Sequence, residues 1–419
     1  MRLFGARTTE PTGKNRSFTS WRRFRSVRFS VLVFCLVLPS LANLGLWVGQ
    51  AGAAPVQWSV TPSPSQASGD NDLNAVSCAT ESNCVAVGSY INGAGVSQTL
   101  VESWNGGTWS IIPSPNATGN NDLEGLSCIS STYCVAVGNY NNNGSGTVPT
   151  LIESWNGTTW TIIPSPSETD YSNLNGVSCL TPTDCVAVGN SSGQTLVESW
   201  SGSSWTIIPS PNQGSLENAL SAVSCMNSGD CVAVGEYYVG ETSQTLVESW
   251  NGSTWSIVSS PSPGKGPDSL NSVSCVSSAI CTAVGVSAPE NHPVSHKTLV
   301  ESWNGSAWST VASPDPGSSN VLSGVSCKNS TDCVAAGNYY DKDESFQTLV
   351  ESWNGKAWLV TTSPNASKRG DSLSAVSCTG SVSCVAVGNK YPSNKKMPQR
   401  TLVETGSRRS SGPNRHSLH

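Results

Sequence analysis

Between Ala54 and Gly264 the chain contains no lysine or arginine, against 16 acidic residues. Charged residues of all kinds make up 12% of its 419 residues, about half the ~25% usual for a soluble domain. A surface with that balance repels phosphate backbones, which argues against nucleic acid as a partner. Histidine is scarce as well, with only His292, His296, His416 and His419. None of the four recurs with the cysteines, and C-x5-C is not a usual zinc spacing, so no metal or cofactor is implied.

Long apolar runs are also missing, with one exception. The stretch from Phe29 to Val48 follows the basic run Trp21-Arg22-Arg23-Phe24-Arg25-Ser26-Val27-Arg28 and precedes Ala51-Gly52-Ala53-Ala54. Basic region, apolar core and small residues have the form of an export signal over residues 1–53, cut near Ala53 or Ala54. An uncleaved membrane anchor is the alternative, since about twenty apolar residues can span a bilayer, although Pro39, Asn43 and Gly45 weaken it. Without residues 1–53 the chain has 14 Lys and Arg against 27 Asp and Glu, a net charge of 14 − 27 = −13. From Lys265 onward the balance is mildly basic, 14 − 11 = +3.

Apart from Cys35 in the leader, every cysteine belongs to a C-x5-C pair: Cys78/Cys84, Cys128/Cys134, Cys179/Cys185, Cys225/Cys231, Cys275/Cys281, Cys327/Cys333 and Cys378/Cys384. An even set at uniform spacing points to seven disulfides formed outside the cytosol. Each would close a seven-residue loop and add roughly 2 kcal/mol. The pairs mark a repeat of near fifty residues, L-x-x-V-S-C-x5-C-V-A-V-G followed by T-L-[VI]-E-S-W-N-G-x-x-W-x-x-x-x-S-P. A period of that length, rich in short β-favouring runs, means stacked four-stranded units.

In the first copy, Leu73–Cys78 reads as strand a, Cys84–Gly88 as b, Leu100–Trp104 as c and Trp109–Ile112 as d. The ends of the chain are complementary. Trp58-Ser59-Val60-Thr61-Pro62-Ser63-Pro64 is an orphan strand d, and the seventh copy stops at Thr405-Gly406 without one. The expected fold is therefore all-β, a seven-bladed β-propeller of four-stranded antiparallel blades over residues 54–406. The N-terminal strand completes the last blade and closes the ring, which removes the open sheet edges. Residues 407–419, with Arg408, Arg409 and Arg415, read as a disordered basic tail.

From about Val56 to Glu404 the repeats resemble secreted bacterial propellers of the kelch, galactose-oxidase central domain and Asp-box group. The likeness is architectural. A single glycine follows V-A-V where kelch blades carry two, and Ser103-Trp104-Asn105-Gly106-Gly107-Thr108-Trp109 is one residue shorter than an Asp-box turn, with Asn for Asp. The group contains enzymes, sugar binders and scaffolds, so the resemblance implies a fold more than an activity.

Residues present in every copy are expected to build the blade. The tryptophans of W-N-G-x-x-W, such as Trp104 and Trp109, flank a four-residue loop and can stack across the hairpin. One glutamate recurs per blade: Glu102, Glu153, Glu198, Glu248, Glu301, Glu351 and Glu404. Strand alternation puts it on the face of the apolar residues, where it needs a hydrogen-bond donor from a neighbouring strand or blade. A cation-binding ring is the alternative.

Propeller geometry places the a–b and c–d turns on one face and the b–c and d–a connections on the other. The second face carries all the variation between copies, so a specific site is expected there. Tyr90, Tyr140, Tyr237, Tyr238, Tyr339, Tyr340 and Tyr391 fall after the V-A-V run, where the b–c loop is expected to begin. Beside them lie Asn139, Asn141, Asn142, Asn143, Asn338, Asp341, Asp343 and Glu344. Aromatic platforms next to amides and carboxylates suit sugars or protein loops, although a tyrosine after a strand also caps a sheet. Arg369-Gly370-Asp371 spells an adhesion tripeptide, a match that chance readily supplies.

No catalytic constellation breaks the repeat. An arginine cluster of the sialidase kind is excluded because only Arg369 and Arg400 lie in the ring, and copper-radical or nucleophilic chemistry lacks its histidines and free thiol. The expected function is a secreted, monomeric, non-catalytic propeller that binds a cell-wall glycan, polysaccharide or protein through its b–c/d–a face. It would meet a membrane only if the leader stays uncleaved. The alternatives are a carbohydrate-active enzyme using paired carboxylates, or a passive envelope scaffold.

Overall fold

The computed structural model describes residues 56–407, apart from 67–68, 142–145, 167–170, 291–294, 344, 381–382 and 395–396. The leader, the tail from 408 onward, and Asn142, Asn143 and Glu344 lie outside the described residues. Each repeat forms one four-stranded antiparallel sheet, and there are seven. In blade 1, strand a is Asn71–Thr80, b is Asn83–Ile91, c is Ser97–Trp104 and d is Trp109–Ile111. No helix occurs among the described residues.

Strands a and b are longer than the apolar pattern suggests. Their polar ends keep pairing beyond the glycine, with Asn71 opposite Tyr90 and the Ile91 N–H donating to the Asp70 carbonyl at 2.8 Å. A β-bulge follows the leucine of strand a, between Leu73 and Ala75 in blade 1, and recurs in every blade. Opposite the bulge the two backbones approach so closely that a Cβ on Gly88 would fall inside the Asp72 carbonyl group, which explains the glycine after V-A-V.

The hydrophobic core lies between blades. In strand b of blade 1, Cys84 and Ala86 join Leu73, Leu100 and Trp109 against Val385, Val387 and Val403 of blade 7. Val85, Val87 and Val101 face the other way and pack on Leu123, Ala136, Leu151 and Trp160 of blade 2. All seven junctions repeat this layer. The period-2 alternation of C-V-A-V thus serves two interfaces at once, small residues to one side and valines to the other.

The cysteines are bonded within blades, directly across strands a and b: Cys78 to Cys84, Cys128 to Cys134, Cys179 to Cys185, Cys225 to Cys231, Cys275 to Cys281, Cys327 to Cys333, and Cys378 to Cys384. Each pair clips the a–b hairpin, as its spacing suggests. The second cysteines, Cys84, Cys134, Cys185, Cys231, Cys281, Cys333 and Cys384, are buried members of the inter-blade cores, none more than 5% exposed. They open strand b on the same side as its alanine, so alternation turns their sulfur inward, where it packs as a small apolar group. All fourteen cysteines are therefore taken up in the framework of the blades.

Polar bonds reinforce the same junctions. The backbone N–H of each first cysteine donates to the serine hydroxyl of the preceding blade's V-S-C: Cys128 to Ser77, Cys179 to Ser127, and so on to Cys78, which reaches Ser377 at 3.1 Å. Each such bond contributes ~1 kcal/mol net.

Blade 7 is completed by Gln57–Val60, which pairs with Arg400–Ser407 in the register Gln57↔Ser407 to Val60↔Glu404. The Thr61 N–H extends the pairing to the Val403 carbonyl at 2.8 Å. Trp58 is 8% exposed and its ring lies over Gly406, which stands where the other blades have their strand-c tryptophan. A chain beginning at Thr61 lacks this strand and leaves Arg400–Ser407 as an open edge. It is expected to unfold at lower temperature and to self-associate, as read by thermal denaturation and size-exclusion chromatography; an unchanged monomer would show that closure is dispensable.

Candidate functional site

One face of the ring is stitched shut. The strand-c tryptophans donate their indole N–H to carbonyls of their own blade's a–b turn, Trp104 to Glu81 at 3.3 Å and Trp155 to Ser131 at 3.1 Å. Trp200, Trp250, Trp303 and Trp353 do likewise at 3.0 Å. Each stacks on its strand-d partner with ring centroids 5.6 to 5.8 Å apart. The strand-d tryptophans are buried. The c–d turn is capped by Asn105, whose Oδ1 accepts the N–H groups of Gly107 and Thr108.

The recurring glutamates are wholly buried and act between blades. The serine of each S-P segment donates to the glutamate of the next blade: Ser63 to Glu102, Ser114 to Glu153, Ser165 to Glu198, Ser210 to Glu248, Ser260 to Glu301, Ser313 to Glu351, and Ser363 to Glu404. The outermost interval of the ring is thereby closed seven times, and no glutamate points at a common centre. Burial pushes these carboxyls up to about 7, and Glu153 to about 8, with the serine bond pulling the other way.

The tyrosines sit inside strand b, except Tyr391, which follows it; they do not begin the loop, because strand b outruns its apolar core. Alternation then sorts them into two sets. Tyr90, Tyr140, Tyr237 and Tyr339, six residues after the second cysteine, pack on the inter-blade cores. The Tyr237 hydroxyl also donates to Gln244 Oε1 at 2.6 Å. Tyr238 and Tyr340, seven residues after it, occupy the opposite side of the strand, and Tyr391, at the same offset, lies just past the end of its strand b. Tyr340 lies against Phe346 with centroids 4.1 Å apart. Asp341 caps its own loop, accepting the N–H groups of Asp343 and Ser345, while Asp343 is exposed.

Tyr238 lines a sizeable cleft. The b–c connections of blades 3 and 4 are two-residue turns, Ser192-Gly193 and Gly240-Glu241, against longer loops in the other blades. Ser192 and Gly193 both have positive φ, 49° and 78°, the tight hairpin form. These low turns leave a cleft of about 640 Å³ between Gln194, Asn212, Leu216, Glu217, Tyr238 and Glu241. A hollow of about 460 Å³ adjoins it at Tyr171, Asn190 and Glu236. Both fall in the size range of ligand sites.

Buried Asn218 holds one wall, its side chain accepting the Gln213 N–H at 2.8 Å and donating to the Leu216 carbonyl at 2.7 Å. The same post opens strand a in five other blades: Asn71, Asn121, Asp268, Asn320 and Asp371. Asp371 is therefore buried and already bonded, so the adhesion tripeptide is not presented. Sequence reasoning passed over these posts and both serine series, although each recurs at a constant offset.

Carboxylates also gather at the inner strands of blades 1 and 2. Asp72 accepts from Asn389 at 2.7 Å and Gln399 at 2.6 Å, and Asp122 from Asn74 at 3.2 Å. Burial raises Asp122 and Glu124. The described residues hold no group of three or more metal-ligating side chains arranged for an ion.

A group whose folded pKa is raised stabilises fully below its unfolded value, here near 4.5, and that stability is lost as pH rises through 7 to 8. The melting temperature is thus expected to fall between pH 5 and pH 9, and Glu153→Gln, which stays neutral, to reduce that fall. Ser114→Ala removes Glu153's donor and is expected to cost about 1–3 kcal/mol. By urea denaturation, Tyr237→Phe is expected to cost about 1 kcal/mol, and Tyr238→Ala less than about 0.5 kcal/mol.

No family model and no curated protein matches the chain. Solved structures do match. YCF48 bound to D1 peptide superposes with a TM-score of 0.53 at 11% identity, covering 84% of this chain and 99% of that one. YCF48 from Cyanidioschyzon merolae gives 0.52 at 13%, with 84% and 98% covered. An ulvan lyase from a new polysaccharide lyase family gives 0.52 at 10%, with 80% and 94% covered. At these identities the likeness is one of fold, and it places the chain among seven-bladed β-propellers.

Proposed function

We propose that the chain is an exported, non-catalytic propeller that binds an extracellular polymer, whether cell-wall glycan, polysaccharide or protein, through its b–c/d–a face. The observation that carries this reading is the asymmetry of the ring. Disulfides occupy one face in every blade, and indole bonds and tryptophan stacks do so in blades 1 to 6, while the other face opens into the cleft at Tyr238. Export is supported by the leader and by seven disulfides, which suit an oxidising medium. Kinship with kelch and Asp-box propellers belongs to the same proposal and rests on the blade design.

The fold accommodates both polymer classes elsewhere, since one structural neighbour is solved with a D1 peptide and another is a polysaccharide lyase. Tyr238, Tyr340, Tyr391 and Asp343 are the side chains offered to a partner. The four core-facing tyrosines serve stability. Paired-carboxylate catalysis, the alternative, would draw on the group of Asp72, Asp122 and Glu124.

The test is a binding screen of the secreted protein against cell-wall fractions, soluble polysaccharides and envelope proteins, with product analysis on the same samples. Binding without turnover is expected, and Tyr238→Ala is expected to weaken it about tenfold or more. Product release abolished by Asp122→Asn would replace this reading with the enzymatic one.

A further inference from the structure

Three observations converge on the cleft between blades 3 and 4. Its acids are Glu217 and Glu241 on the rim and Glu236 on the strand, two residues from Tyr238 and on the same side of it. Glu217 and Glu236 lie close enough that each carboxylate disfavours ionisation of the Tyr238 phenol, and Glu217 adds to the burial that raises Glu236. The segments that line it supply no counter-charge, because no Lys or Arg occurs from Ala54 to Gly264.

Apolar surface gathers at the same place. Among the described residues nine large hydrophobic side chains are exposed, and two of them border the cleft and its adjoining hollow: Leu216 at 48% and Tyr171 at 61%. The walls are preformed, with two tight hairpins on one side and the loop held by Asn218 on the other. Little ordering is therefore required on binding.

We infer that this cleft seats a peptide segment of a partner protein that carries lysine or arginine beside apolar residues, a partner class that rests on the binding function proposed above. Charge complementarity decides the occupant. An anionic polysaccharide meets three carboxylates with no cation among the lining residues to answer it, and a neutral glycan donates hydrogen bonds to them but brings no charge to offset their desolvation. A cationic side chain pairs with Glu217, Glu236 and Glu241 while its aliphatic stem lies on the Tyr238 ring. Its apolar neighbours cover Leu216 and Tyr171.

The probe is a fluorescein-labelled peptide of alternating lysine and leucine, titrated with the mature protein and read by anisotropy, beside a glutamate and leucine peptide of equal length. The basic peptide is expected to bind at least about tenfold more tightly, and the triple variant Glu217→Gln, Glu236→Gln, Glu241→Gln to lose about tenfold in affinity. The control Glu81→Gln, Asp184→Asn, Asp230→Asn removes as many charges from the a–b turns and is expected to leave affinity unchanged. If the first variant does not fold, the rim pair Glu217→Gln, Glu241→Gln stands in, with a loss of about threefold.

Equal binding of the two peptides, or equal loss in both variants, overturns the inference. A glycan or protein found in the screen that Tyr340→Ala or Tyr391→Ala weakens, and that the basic peptide does not displace, would overturn it while leaving the binding function intact. Failure of every ligand on this face would overturn both.

Discussion

Each blade has two apolar sides and no core of its own, so the molecule depends on every blade finding a neighbour. Cys84 and Ala86 pack one way and Val85 and Val87 the other, so an end blade in an open array would expose a full interface. Closure by Gln57–Val60 removes that exposure at the cost of one short strand. The two serine series follow the same logic, one at the inner strands and one at the outer, and both run unbroken across the join between blades 7 and 1. The serines and glutamates buried between blades are tolerated because each makes a hydrogen bond to the adjacent copy.

The glutamate of T-L-V-E shows how a chemically suggestive residue becomes structural. A buried carboxyl with one serine donor and no cation favours its neutral form near pH 7. In Glu102, Glu153, Glu248, Glu301, Glu351 and Glu404 the second oxygen has no partner among the described residues, which fits a proton being kept. Such a ring is more stable in mildly acidic surroundings than in alkaline ones.

The cleft has a different origin. It exists because blades 3 and 4 turn from strand b to strand c in two residues while their neighbours use longer loops. The position is set by deviation from the repeat, whereas everything shared by the blades went into holding them together. Tyr238 and Tyr237 are adjacent in sequence and opposite in role, one lining the cleft and the other bonded to Gln244 beside the core.

Repeat length, strand count, cysteine pairing and the complementary ends were all legible in the sequence, because they depend on periodicity and on edges that must pair. The burial of the second cysteines was not, since a C-x5-C spacing closes a loop equally well in solvent, and only the neighbouring blade covers Cys134 or Cys231. The sides of the tyrosines were hidden too, since strand b continues past its apolar residues only where strand a continues beside it. Nor could the sequence show that Glu217, Tyr171 and Glu236, on different strands and connections, border adjoining hollows. Local pattern determined each blade by itself. Which polar side chains met across blades was decided by the tertiary structure, because the packing of successive blades brings residues about fifty positions apart within a hydrogen bond of one another and closure does the same for Cys78 and Ser377.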